Sequence, residues 1–119
     1  MGMVVRTEIF PLRASLKKKD KWELIVELEN EDNSEKMVSL QIDLPAVANF
    51  STVGLARNYE KQIESFRANG RAQIKIPVYI STYARTGNHM GKIRVMEHFG
   101  DFDHVQRTYS KEIPFRIVD

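Results

Sequence analysis

The sequence predicts an all-β chain folded as an antiparallel sandwich or barrel. Two observations predict it. Five or six short stretches alternate apolar with polar residues, and turn-forming residues separate them. The clearest stretch sets Trp22, Leu24, Val26 and Leu28 between Lys21, Glu23, Ile25, Glu27 and Glu29. A strand points successive side chains to opposite faces, so this pattern makes one apolar and one wet face.

The elements follow in order. Val5, Thr7 and Ile9 alternate, Pro11 interrupts, and Leu12, Ala14 and Leu16 alternate again. Proline cannot donate to a ladder, so this reads as an edge strand broken at Pro11. Lys17 to Lys21 form a charged turn. Trp22 to Leu28 is the second strand. The polar run from Asn30 to Glu35 connects it to Met37–Leu44, which ends at Pro45, and the pair reads as a hairpin with a long loop.

Two readings compete over residues 55–69. Leu55, Tyr59, Ile63 and Phe66 recur at helical spacing, and Gly70 stands where a helix C-terminal glycine belongs. The alternative makes Glu60–Phe66 a strand, with Ala68, Asn69 and Gly70 turning into a hairpin. The surrounding strands favour the second, and a short helix is the alternative. Ala72, Ile74, Ile76, Val78 and Ile80 then form the longest alternating set, and Pro77 on its other face marks an edge or bulge. Thr86 to Asn88 is a turn, and Lys92–Met96 is a strand with Ile93 and Val95 inward. His98–His104 is a loop around Gly100. Val105–Val118 is a long last strand bent near Pro114, with Ile113, Phe115 and Ile117 inward.

The totals bound the function. The 119 residues suit one domain, spanning 1–119, with a single core. Apolar residues at 42% and charged ones at 29% exclude a wholly disordered chain. There is no cysteine, which removes disulfides, thiolate metal sites and cysteine nucleophiles. The opening run MGMVVRTEIF carries Arg6 and Glu8, unlike a signal peptide, and no apolar run is long enough to cross a membrane. A cytoplasmic protein that does not bind membranes is therefore expected. The net charge of +2 is too small to indicate nucleic acid, and the later arginines read as scattered solvated side chains.

A family resemblance rests on particular residues. The segment IESFRANGRAQIKIPVYI sets an apolar residue, Phe66, before a glycine turn at Gly70. It continues to the pair Pro77 and Val78. Gly91 opens the next strand, KIRVMEHFGD, and EIPFRIVD closes the chain. These features, over roughly residues 22–118, resemble immunoglobulin-like sandwich domains of archaeal and bacterial proteins of the CARDB and NEW3 accessory types. One difference is the turn, Ala-Asn-Gly, where a proline usually precedes the glycine. The resemblance implies an immunoglobulin-like antiparallel β-sandwich of about seven or eight strands and a noncatalytic interaction role. It also implies, as one alternative, a carbohydrate-associated accessory module.

The loop from Glu97 to His104 carries the densest chemistry. It holds His98, Asp101, Asp103 and His104, whose imidazoles and carboxylates suit zinc, manganese or iron, although their spacing matches no established metal motif. Phe99 and Phe102 are placed to fold back on the sandwich edge. A second candidate surface is Tyr79 and Tyr83 near Arg85, residue types favoured at interfaces. Lys17, Lys18 and Lys19 suit phosphate less well than they suit an edge-protecting turn.

No nucleophile elbow, glycine-rich phosphate loop or pocketed carboxylate pair is present, so no enzyme and no cofactor are expected. The leading expectation is a protein-interaction module that binds through loop 97–104 or a free sheet edge. Such an edge also suits pairing with a second copy as a homodimer. The runner-up is a metal- or small-ligand-binding protein using His98, Asp101, Asp103 and His104.

Overall fold

A computed structural model describes residues 2–11, 13–16, 21–50, 57–81 and 84–118. Nine strands occur among them: β1 (Met3–Phe10), β2 (Arg13–Ser15), β3 (Lys21–Asn30), β4 (Lys36–Asp43), β5 (Ala48–Asn49), β6 (Asn58–Phe66), β7 (Arg71–Ile80), β8 (Gly87–His98) and β9 (Val105–Val118). One sheet runs β1-β3-β7-β5 and the other β2-β9-β8-β4-β6. The chain is thus an all-β sandwich of two sheets, compatible with the expected immunoglobulin-like domain. The count exceeds seven or eight because β2 and β5 are only three and two residues long. Among the described residues no helix is long and apolar enough to cross a membrane. The turn at Lys17–Lys19, with Leu12, Leu55 and Tyr83, lies outside the described residues.

The core sits between the sheets and is built from the alternating sets. Trp22, Leu24, Val26 and Leu28 of β3, with Ile76 and Val78 of β7, face Val38, Leu40 and Ile42 of β4, Ile93 and Val95 of β8, and Ile113, Phe115 and Ile117 of β9. All are buried. Fully burying one such side chain is worth about 1.5–3 kcal/mol against leaving it in water. Trp22 meets Phe115 edge-on across the sandwich, with ring centroids 5.1 Å apart. Gly91 is buried beneath the end of β4, where an added Cβ would stand 3.3 Å from the Asp43 carbonyl oxygen.

Three expectations about connections are corrected. β3 and β4 are not a hairpin: β3 pairs with β1 and β7, and β4 with β6 and β8. Each strand buries an apolar face, and the two faces oppose one another across the core. Residues 31–35 carry the chain from one sheet to the other, and Asn30 fixes that corner. Its fully buried side chain donates from Nδ2 to the carbonyls of Ser34, Phe66 and Arg67 and accepts the Asp32 N–H at Oδ1. Nor is β6–β7 a hairpin. The Ala68–Gly70 turn is present, with Asn69 at φ 55°, but it also changes sheets. The N-terminal edge strand is two strands: Pro11 marks where the chain leaves β1 and crosses to β2, which pairs parallel with β9.

The contested segment is strand β6. Its helical spacing has a β cause. The pairing passes from Val38–Ile63 to Lys36–Phe66, so β6 carries one extra residue there. That bulge reverses the side-chain alternation and turns Phe66 inward, three residues after Ile63. β8 also begins earlier than expected, at Gly87, and takes in Gly87 and Asn88 of the expected turn.

Candidate functional site

β8 and β9 form the longest hairpin, and its tip is the 99–104 loop at one end of the sandwich. The tip holds itself. Asp101 Oδ1 accepts the Asp103 N–H at 2.9 Å and the His104 Nδ1–H at 2.7 Å. The Phe99 N–H donates to the His104 carbonyl, and the His104 N–H to the Asp101 carbonyl. Gly100 takes a φ of 81°, a conformation glycine adopts without strain. The ion pair moves both partners. The His104 bond holds the Asp101 carboxyl below its ordinary value, and Asp101 raises His104 above its own.

The expected ligand set is not assembled. Glu97 and His98 are the last residues of β8 rather than loop residues, and His98 is buried. Its Nε2 is hydrogen-bonded to Ser39 Oγ at 2.6 Å, and Phe102 packs edge-on against its ring at 5.1 Å. Asp101 and His104 bond one another in the exposed loop. Among the described residues no three His, Asp or Glu side chains are grouped to hold a metal ion. Of the two phenylalanines, Phe102 folds back as expected. Phe99 does not: it is 73% exposed.

Beneath the tip lies a charged network, centred on buried Glu97, that the sequence reading did not assemble. Glu97 is 3% exposed. Tyr109 OH donates to its Oε2 at 2.6 Å, and Lys36 Nζ lies 3.3 Å from its Oε1. Lys36 also reaches Asp32 at 3.1 Å, and the two carboxylates raise its pKa, Asp32 more strongly. Tyr109 in turn accepts the Met3 N–H at 3.3 Å and raises the pKa of Arg107. The network joins β1, β4, β8, β9 and the β3–β4 corner. Its only trace in the sequence was Glu97 at an inward position of β8, two residues beyond Val95.

The second expected cluster is dispersed. Tyr79 pairs with Lys21 and Asn49 in the ladder, and Tyr83 is outside the described residues. Arg85 lies at the opposite end from the tip. With Val47, Asn49, Arg57, Ser81 and His89 it lines an open cavity of about 550 Å³, and its carbonyl accepts the His89 Nε2–H at 2.9 Å. No family model matches the chain, and no curated protein is similar to it in sequence.

Proposed function

We propose that this chain is a noncatalytic protein-interaction module of the cytoplasm whose binding element is the β8–β9 tip. The observation that supports it is Phe99. It is 73% exposed, and Val105 on the other arm of the hairpin is 51% exposed, so the tip presents apolar surface of the kind that contact sites use. The loop beneath is fixed by the Asp101–His104 pair and by Phe102 against His98, so little ordering is required on binding. Asp101, Asp103 and His104 around Phe99 supply a polar rim, the usual surround of an apolar anchor.

The test is photo-crosslinking in native lysate from a benzoylphenylalanine placed at position 99, with one at Lys61 on β6 for comparison. A discrete adduct from position 99 alone, lost when Asp101 and Asp103 are also changed to Ala, supports the tip. An adduct from position 61 alone moves the site to that sheet edge. Diffuse labelling from both sinks the interaction reading.

A further inference from the structure

β9 pairs with β8 along its whole length, but on its other side only β2 reaches it, at Arg116–Val118. Among the described residues no backbone partner lies along the outer edge of Val105–Phe115. The direction of each backbone group there is fixed by parity. The Val118 carbonyl points outward, accepting the Leu16 N–H at 2.7 Å. Thr108, Ser110, Glu112 and Pro114 share its parity, so their backbone groups face the open edge. Pro114 has no N–H to present and closes the edge at one end. The irregularity between Arg107 and Val105 closes it at the other. Arg107 to Ile113 remains as an open, regular window, with Thr108, Ser110 and Glu112 exposed.

We propose that this window pairs antiparallel with the same window of a second copy, about a two-fold axis through Ser110. The side chains select that register. Ser110 then faces Ser110, Thr108 faces Glu112 of the second copy, and Tyr109 faces Lys111. No like charges oppose one another. Moving the axis to Glu112 sets glutamate against glutamate and Ser110 against Pro114. Moving it to Thr108 runs the pairing into the irregularity. An axis on Lys111 opposes that lysine to itself, and one on Tyr109 opposes Arg107 to Lys111. The same register brings Arg107 of the second copy opposite Ile113. The groove between β1 and β9 there is lined by Thr7, Glu8, Ile9, Phe10, Ile113 and Pro114, with Glu8 as its one carboxylate. The edge of β6 is unsuited to self-pairing. An axis at Glu60 or Lys61 opposes that residue to itself, one at Gln62 opposes Glu60 to Glu64, and one at Ile63 runs into the bulge before Phe66. The β9 pairing does not depend on what Phe99 binds.

The chain has no cysteine, so engineered thiols report cleanly. In a hydrogen-bonded antiparallel pair the Cα atoms lie about 5.5 Å apart, within disulfide reach. Ser110→Cys is expected to give a disulfide-linked dimer under mild oxidation. Thr108→Cys alone is not, but Thr108→Cys with Glu112→Cys is. Sedimentation of the wild-type chain is expected to show a concentration-dependent dimer. Thr108→Lys, facing Glu112, should tighten it several-fold, and Ser110→Lys, facing itself, should weaken it several-fold. All three positions are exposed, so each variant is expected to fold, with circular dichroism as the check. A monomer at every concentration overturns the proposal, as do Ser110→Cys crosslinking no faster than Thr108→Cys and equal effects of the two lysines. A monomer that takes up a foreign strand along β9 also overturns it, in favour of a different partner.

Discussion

Tyr109→Phe isolates the charged network around Glu97 under the tip. The change removes one oxygen and keeps the ring. That oxygen donates to Glu97 at 2.6 Å and accepts the Met3 N–H at 3.3 Å. The first bond is charge-assisted, and such bonds contribute about 1.5–3 kcal/mol. The second is long and adds little. Glu97, 3% exposed, cannot replace its partner with bulk water and keeps only Lys36. The expected loss is therefore about 2 kcal/mol. For 119 residues the unfolding entropy near the midpoint is about 0.25 kcal/mol/K, so Tm should fall by about 8 °C. Urea unfolding should give the same loss with an unchanged m value. The cycle with Glu97→Gln should show coupling above about 1 kcal/mol, because the two groups touch. A loss below about 0.5 kcal/mol, or additive single changes, would refute the claim that the network holds this end together.

Other outcomes follow from the same structure. Asn30→Ala leaves the carbonyls of Ser34, Phe66 and Arg67 without their donor, and should cost about 3 kcal/mol by urea unfolding. The Asp101–His104 pair should stabilise only within a pH window. His104 has a raised pKa, so its contribution is complete below the ordinary histidine value of 6.5 and is lost as pH rises through the raised one. Asp101 has a lowered pKa, so its contribution is present above 3.8 and is lost as pH falls through the lowered value. The melting difference between the wild type and His104→Ala should thus be largest between pH 3.8 and 6.5, and be lost as pH rises through the raised His104 value or falls through the lowered Asp101 value. Zinc or manganese should leave Tm unchanged, since His98 is buried against Ser39 and Phe102 and is not grouped with Asp101 and His104; a shift that depends on both His98 and His104 would contradict this. Phe99→Ser should change stability by less than about 0.5 kcal/mol, because the ring is already in solvent.

How far the sequence could be read depended on whether a feature was local. The inward faces of β3, β7, β8 and β9 were legible because one residue in two is apolar and each strand carries its own pattern. Which strands pair was not legible at β3–β4 or β6–β7. A turn rich in Asn, Asp and Gly looks the same whether it joins neighbours in one sheet or crosses between sheets. The difference lies in Asn30, whose four bonds reach across 37 residues of sequence to Arg67. The bulge in β6 misled for a related reason, since one inserted residue makes a strand imitate a 3.6-residue period. At the site, composition located the tip but not its geometry. His98 and His104 are six residues apart, yet one belongs to the strand and faces Ser39 while the other belongs to the turn and faces Asp101.

The prolines were the most informative single residues, and the structure gives the reason. Pro77 has the parity of Ser81, whose N–H donates to the Val47 carbonyl on the β5 side. Its missing donor therefore faces away from β3, where β5 pairs only at Tyr79 and Ile80. Pro114 likewise turns its missing donor away from β8. Each stands where no ladder bond is lost, and each breaks an edge that would otherwise continue. A proline placed in this way limits where another strand can add. β9 is interrupted at Pro114 but not from Arg107 to Ile113. What the chain leaves unguarded there, and what it leaves uncovered at Phe99, are two separate surfaces, and a substitution at Ser110 should leave binding by the tip intact.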